Sequence, residues 1–237
     1  ILKAKKNLIK FKSSSNKNRI VGVNLGINKN STDSINDYLF GIESFCNLGN
    51  YITINISSPN TVGLRDLQLR GKIENLIKQV VLKREKIDSL TKIPIFIKIS
   101  PDLNDDQLRD IALISLANNI DGLIITNTTI NRPNNLLSKN KNFKGGLSGK
   151  PLFQASNKIL KKMYNFTNGQ IILIGVGGIS SGSDCYEKIK SGASLIQLYS
   201  ALTFSGPSLI SKIKKELVDL IKTDGYKNIS DLIGKSV

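Results

Sequence analysis

Six short apolar runs, separated by helix-patterned segments, constrain this chain more than any other feature of its sequence. They cover residues 19–26, 51–57, 93–100, 121–128, 171–178 and 194–200. Runs such as IPIFIKIS and IILIGVGG are almost continuous Ile, Leu and Val, as in strands of a parallel sheet covered on both faces. The run YITINIS instead alternates Ile with Thr, Asn and Ser, the period-2 signature of a strand. Helices are expected over 34–48, 71–90, 105–118, 154–164, 183–190 and 208–222, with Asn104-Asp105-Asp106 as a helix start. Alternation of the two predicts βα units. Six strands fit either an open doubly wound sheet or a (β/α)8 barrel whose first strands are absent from the chain. Polar or glycine residues close every run: Asn24 and Gly26, Asn55 to Asn60, Lys98, Thr126 to Thr128, Gly177 and Gly178, Tyr199 and Ser200. A doubly wound sheet concentrates its site at one switch point, whereas a barrel gathers every strand end around one mouth. The distribution favours an α/β barrel.

At 237 residues with 40% hydrophobic content, the chain can bury one sizeable core as a single domain. No apolar run reaches the ~20 residues of a membrane-spanning helix. Residues 1–19 lack the apolar core and cleavage site of a signal peptide. The formal charge is +16, from 34 Lys and Arg against 18 Asp and Glu. The lysines are dispersed and the aromatics sit in apolar patterns, so no nucleic-acid surface is expected. Histidine is absent, which removes Ser-His-Asp hydrolysis, Cys-His proteolysis and His-ligated metals together. Cys46 and Cys185 have neither metal-ligand nor disulfide-framework spacing, so no metal is expected and a reduced compartment is the default.

The strand ends carry the chemistry. After 51–56 come Ser57, Ser58, Pro59 and Asn60, either a reaction site or a helix start capped by Ser58 or Asn60. The run GVGGISS at 175–181, followed by a helix, suits an anion held by backbone N–H groups, although tight packing also selects such glycines. With Tyr199 and Ser200 after the next strand, it predicts a phosphorylated cofactor. Lys98 inside an apolar strand is costly unless it points into the mouth, where a cation near a flavin ring would tune it; the alternative is a snorkelling side chain. Thr126-Asn127-Thr128-Thr129 would hold a planar, imide-like substrate or make its own turn bonds. Residues 131–150 are expected to form a mobile lid with turns at Gly145, Gly146 and Gly149.

The segments INISSPNTVGLR, FIKISPD, ITNTT, GGLSGKPL, GVGGI and ASLIQLYS, in this order, resemble class 2 dihydroorotate dehydrogenases from about Arg19 to the C-terminus. That resemblance implies an FMN-containing (β/α)8 barrel that oxidises dihydroorotate to orotate in de novo pyrimidine biosynthesis and passes electrons to a quinone. It implies Ser58 as the base that removes a proton from substrate C5 while a hydride leaves C6 for flavin N5. Asn55, Asn60, Asn127 and Thr128 match the family's substrate-binding groups. Asn24, Asn55, Lys98 and Thr126 match its flavin contacts, and Gly149, Gly178, Tyr199 and Ser200 complete the FMN and phosphate contacts. Ser100 departs from the family's alanine. The family's membrane-docking segment, its first barrel strands and their substrate lysine have no counterpart before Ile1. The chain is therefore expected to be one FMN-binding domain over residues 1–237, incomplete at its N-terminus, with 51–57 as the fourth barrel strand. Membrane association would come through that N-terminal segment, at the mitochondrial inner membrane or a bacterial inner membrane. The alternatives are another FMN barrel such as a dihydrouridine synthase, and an inactive fragment or basic binding module.

Overall fold

A computed structural model describes residues 1–14, 19–28, 31–87 and 92–237. Six parallel strands pair in strict sequence order: β1 (Gly22–Leu25), β2 (Tyr51–Asn55), β3 (Ile95–Ile99), β4 (Gly122–Ile125), β5 (Ile172–Val176) and β6 (Leu195–Gln197). Between them run α2 (Ser34–Phe45), α3 (Arg70–Ile87), α4 (Asp105–Ala117), α5 (Phe153–Phe166) and α6 (Gly182–Lys190). Helix α1 (Leu2–Ser13) precedes the sheet, and α7 (Ser200–Ser205) and α8 (Ser208–Thr223) follow it. Strand order never reverses, so the doubly wound alternative is excluded. The sheet is also not closed, because β1 and β6 remain its edges. Among the described residues there are six strands, not the eight of a complete barrel.

The two faces of the sheet differ as the sequence pattern requires. Ile52, Ile54, Ile95, Ile97, Ile99, Leu123, Ile125 and Leu173 form one face and pack in the main core with Ile73, Leu76, Ile77, Leu108 and Ile111 of the helices. The other face holds Phe96, Ile124 and Ile174, with Tyr51 and Val176 against them. Tyr51 and Phe96 meet edge to face at 5.6 Å, filling the floor of this inner surface. Glycine is required there for close approach: a Cβ on Gly22 would fall 2.0 Å from the Tyr51 ring, and one on Gly122 2.6 Å from Phe96. Towards the open flank the inner surface is exposed, with Ile172 at 44% and Leu195 at 55%.

Every expected strand forms, but each is shorter than its apolar run. Of the polar residues that close the runs, Asn24, Asn55 and Lys98 stay in the ladder, whereas Ser57 to Asn60 and Thr126 to Thr128 lie beyond it. Neither Ser58 nor Asn60 caps a helix: the next α-helix, α3, begins at Arg70 after a 3-10 turn over Leu64–Gln68. The expected end of that helix at residue 90 lies outside the described residues. The Asn104 cap is present as a full capping box with Gln107. Tyr199 and Ser200, expected as a strand end, instead lead into α7, which the sequence pattern did not reveal, and nor did it reveal α1.

Candidate active site

The carboxyl end of β2 turns sharply, and Asn55 organises the turn. Its Oδ1 accepts from the Ser57 backbone N–H at 3.3 Å and from Asn127 Nδ2 at 3.1 Å. Tyr38 OH of α2 donates to the Asn55 carbonyl at 2.9 Å, and burial raises the phenol's pKa well above its ordinary value. The two adjacent serines differ in what their hydroxyls do. Ser57 Oγ donates to the Lys98 carbonyl at 2.6 Å and accepts from Asn127 Nδ2 at 3.1 Å, so it is committed to joining β2, β3 and β4. Ser58 Oγ accepts the Asn60 N–H at 3.3 Å and donates to nothing among the described residues. Asn127 is committed at both ends, since its Oδ1 also accepts the Thr128 N–H at 2.8 Å. Its two donors and its carbonyl are thus satisfied within the protein. This is the self-bonded turn weighed above, put to use in fixing Asn55.

A cavity of about 420 Å³ opens beside this network, within the usual size of small-ligand sites. Lys98, Thr126, Asn127 and Thr128 line one side; Gly149, Gly177, Gly178, Tyr199 and Ser200 line the other. Lys98 has no acceptor among the described residues, and burial pushes its pKa below the ordinary lysine value. An uncompensated cation in such a wall favours an anionic or electron-rich occupant. Gly177 and Gly178 have φ of 114° and 75°, in the left-handed region, and their N–H groups have no acceptor among the described residues. Facing them, Ser200 Oγ donates to Ser148 Oγ at 2.9 Å. Ser148, Lys150 and Ser180 also line the cavity and were not singled out from sequence, although GGLSGK and GVGGISS contain all three. Two unpaired N–H groups, several hydroxyls and an unpaired lysine suit a ligand with a phosphate at one end and a polar ring at the other.

Arg65, inside the INISSPNTVGLR segment, ties the strand-end turns together. Its Nε donates to the Ser57 carbonyl at 3.1 Å, its Nη2 to the Thr128 carbonyl at 2.9 Å and its Nη1 to Asp102 Oδ2 at 2.7 Å. Asp102 in turn accepts from the Thr129 hydroxyl, the Ile130 N–H at 3.0 Å and Asn131 Nδ2 at 3.0 Å. The expected lid, residues 131–150, is organised around a second guanidinium. Arg132 donates to the carbonyls of Lys141, Phe143 and Gly145 at 2.8, 2.9 and 2.7 Å. Leu147 pairs with Thr129, which lays Gly146 over Thr128 and Pro59.

Of the residues singled out from sequence, Lys98, Thr126, Asn127, Thr128, Gly149, Gly178, Tyr199 and Ser200 share the cavity wall. Asn55 joins them through Asn127, while Ser58 and Asn60 sit on the adjoining turn beside Gly145 and Gly146. Asn24 does not join them. It pairs in register with Thr53, one layer below Asn55, and lines a separate cleft with Ile1, Leu8 and Phe40.

The family model for dihydroorotate dehydrogenase matches residues 3–221, reaching further back than the motifs that begin near Arg19. The dihydroorotate dehydrogenase (quinone) of Xanthobacter autotrophicus is 47% identical over 225 residues, which cover 94% of this chain and 63% of that protein. The mitochondrial dihydroorotate dehydrogenase (quinone) of Arabidopsis thaliana is 48% identical over 221 residues, covering 91% of this chain and 47% of that one. The chain thus spans less than two thirds of the length of these relatives. The crystal structure of ligand-free DHODH from Eimeria tenella superposes with a TM-score of 0.92 at 37% identity, covering 98% of this chain and 69% of that one. With sheet order, strand-end cavity and sequence all in agreement, the chain belongs to the dihydroorotate dehydrogenase family.

Proposed function

We propose that this chain forms the flavin and substrate face of a quinone-dependent dihydroorotate dehydrogenase, oxidising dihydroorotate to orotate in pyrimidine biosynthesis. The observation that carries the reading is convergence: a half-buried lysine and a glycine turn, both without partners among the described residues, share one cavity wall, and a serine hydroxyl with its proton uncommitted stands on the adjoining turn. The six-stranded sheet is read as part of a (β/α)8 barrel, and residues 1–237 as part of one FMN-binding domain. When bound, FMN supplies a hydride acceptor for substrate C6. Gly178, Gly149, Tyr199 and Ser200 hold its phosphate end, and Lys98, Thr126, Asn55 and Asn24 its ring, Asn24 reaching it from one layer below Asn55. Asn55, Asn60 and Thr128 orient the substrate, and Asn127 contacts it by giving up one of its internal bonds.

Ser58 Oγ takes the proton from substrate C5. Its neighbour Ser57 is unsuited to this because its proton and a lone pair are already engaged. A serine hydroxyl is a weak base, so as it takes the C5 proton it must pass its own proton to a neighbouring group or a water path. The names of the plant and mouse relatives are mitochondrial and quinone-dependent, which supports a quinone as acceptor and, for a eukaryotic protein, a mitochondrial location. No helix among the described residues is long and apolar enough to cross a membrane. Nothing among the relatives' names favours the dihydrouridine synthase or basic-module alternatives.

The test is anaerobic mixing of the full-length protein with dihydroorotate while flavin absorbance is followed. Bleaching of the oxidised flavin is expected, and an unchanged spectrum refutes the assignment. Ser58→Ala is expected to retain FMN and lose reduction by dihydroorotate; wild-type reduction would remove Ser58 from the base role.

A further inference from the structure

Lys188 on α6 is fully buried and has no part in the reaction described above. No carboxylate pairs with it among the described residues. Its Nζ donates to Ser156 Oγ at 2.7 Å and to Asn157 Oδ1 at 2.6 Å, and lies 5.1 Å from the centre of the Phe153 ring. All three partners are within the first two turns of α5. A buried lysine that only filled space would be better replaced by an apolar side chain of its size.

The use of this arrangement lies on the far side of Ser156. Its Oγ is 2.9 Å from the Phe153 carbonyl and 3.3 Å from the Gly177 carbonyl. A hydroxyl has one proton to give. With Nζ occupying one of its lone pairs, Ser156 is held as a donor whose single proton is shared between those two carbonyls. The glycines of GVGG fit the same contact. A Cβ on Gly175 would lie 3.1 Å from Lys188 Cδ, one on Gly177 2.9 Å from Ser156 Oγ, and one on Gly178 2.8 Å from the Phe153 backbone. The turn is therefore pressed onto α5 and α6 by its carbonyl side, and its N–H groups are left without acceptors.

We propose that Lys188 is a positioning residue for the anion-facing turn: through Ser156 it holds the Gly177 carbonyl against α5, so that the N–H of the same peptide unit, that of Gly178, faces a phosphoryl group. This rests on the FMN reading and concerns only the phosphate end of that ligand. FMN and riboflavin differ by that phosphate, so the ratio of their affinities isolates the turn from the rest of the site.

The experiment titrates wild type, Lys188→Met and Ser156→Ala with each flavin, following flavin fluorescence, and records a melting curve for each protein. Ser156→Ala keeps the Lys188–Asn157 bond and the packing of the lysine stem, so it tests the link even where Lys188→Met does not fold. Both variants are expected to lose about tenfold in FMN affinity, the value of roughly one hydrogen bond to a charged group, with riboflavin affinity unchanged. A ratio equal to that of wild type overturns the proposal, whether both affinities hold or both fall together. Wild type that binds FMN no better than riboflavin overturns the phosphate reading itself, and Lys188's role with it.

Discussion

Arg65 is the residue whose removal separates the strand-end turns most cleanly. Arg65→Met keeps much of the side chain's bulk and deletes three hydrogen bonds, two to carbonyls and one to Asp102. The two carbonyl bonds are worth about 1 kcal/mol each. The Asp102 side chain is 11% exposed, and Arg65's is 22%. Breaking a buried pair typically costs ~3–5 kcal/mol because a charge is left behind. Here Asp102 keeps the donors of Thr129, Ile130 and Asn131, so about 2 kcal/mol is the better figure for its share. The sum is about 4 kcal/mol, a fall of roughly 10 °C in melting temperature for a domain of this size. Urea unfolding of wild type, Arg65→Met, Asp102→Asn and the double variant closes a thermodynamic cycle. With Asp102 already neutral, removing Arg65 leaves no orphaned charge. The double variant should therefore be more stable than the sum of the singles by about 1–2 kcal/mol. Additivity to within ~0.5 kcal/mol would refute the claim that the pair acts as a unit. In the full-length protein, Arg65→Lys keeps the charge but cannot reach three acceptors in one plane. Flavin reduction by dihydroorotate should slow while FMN stays bound, because the Ser57 carbonyl next to Ser58 loses its anchor.

Burial lowers the Lys188 pKa from 10.5 to about 7, against the opposing pull of Glu187 and Asp184. Below pH 7 both folded and unfolded chains carry the proton, and the full cost of burying the charge is present. Between about 7 and 10.5 the unfolded chain binds more protons, so Lys188 should make wild-type stability rise with pH relative to Lys188→Met. A stability difference between the two that is flat from pH 7 to 10 would contradict this. Gly178→Ala should cost about 2–4 kcal/mol and abolish FMN binding, because φ is 75° and the new Cβ meets the Phe153 backbone at 2.8 Å. Gly206→Ala is the control: its φ is 71° but no atom lies within 4 Å of the added Cβ. It should cost only the ~1–2 kcal/mol of the left-handed conformation. Equal melting temperatures for the two variants would show that contact with α5 is not what holds the turn.

The strands were legible because hydrophobic burial on both faces leaves little room for polar residues, and the chain obeys this from Ile52 to Ile174. Their ends were not, because a polar residue that leaves the ladder keeps the same alternation for one or two positions. Thr126 and Ser57 look like strand residues and are turn residues. The residues of the mouth were readable as a set, but their depth in the sheet required register. Asn24 looks equivalent to Asn55 in sequence and lies a layer lower because Asn24 pairs with Thr53. Arg65 was missed because its partners are main-chain carbonyls and an aspartate 37 residues away, which no local pattern announces. Lys188 did leave a signal: it occupies the apolar stripe of α6 with Cys185 and Ile189, at the i+3 and i+4 spacings that otherwise hold buried residues.

The glycine turn shows why a motif alone carries half of its meaning. GVGG admits two explanations from sequence, backbone approach to an anion and tight packing, which look like competitors. In the fold they are the two sides of one turn. The space where Cβ atoms would stand is filled by Ser156 at Gly177 and by Phe153 at Gly178, and is tight against Ala193 and Lys188 at Gly175, so packing alone disfavours side chains at these glycines. That packing engages the Gly177 carbonyl from behind. A peptide unit whose carbonyl is held to one side must present the next N–H to the other. Packing against α5 is thus what creates the anion-facing surface. The two explanations separate only through residues outside the motif, in the helices on either side of it.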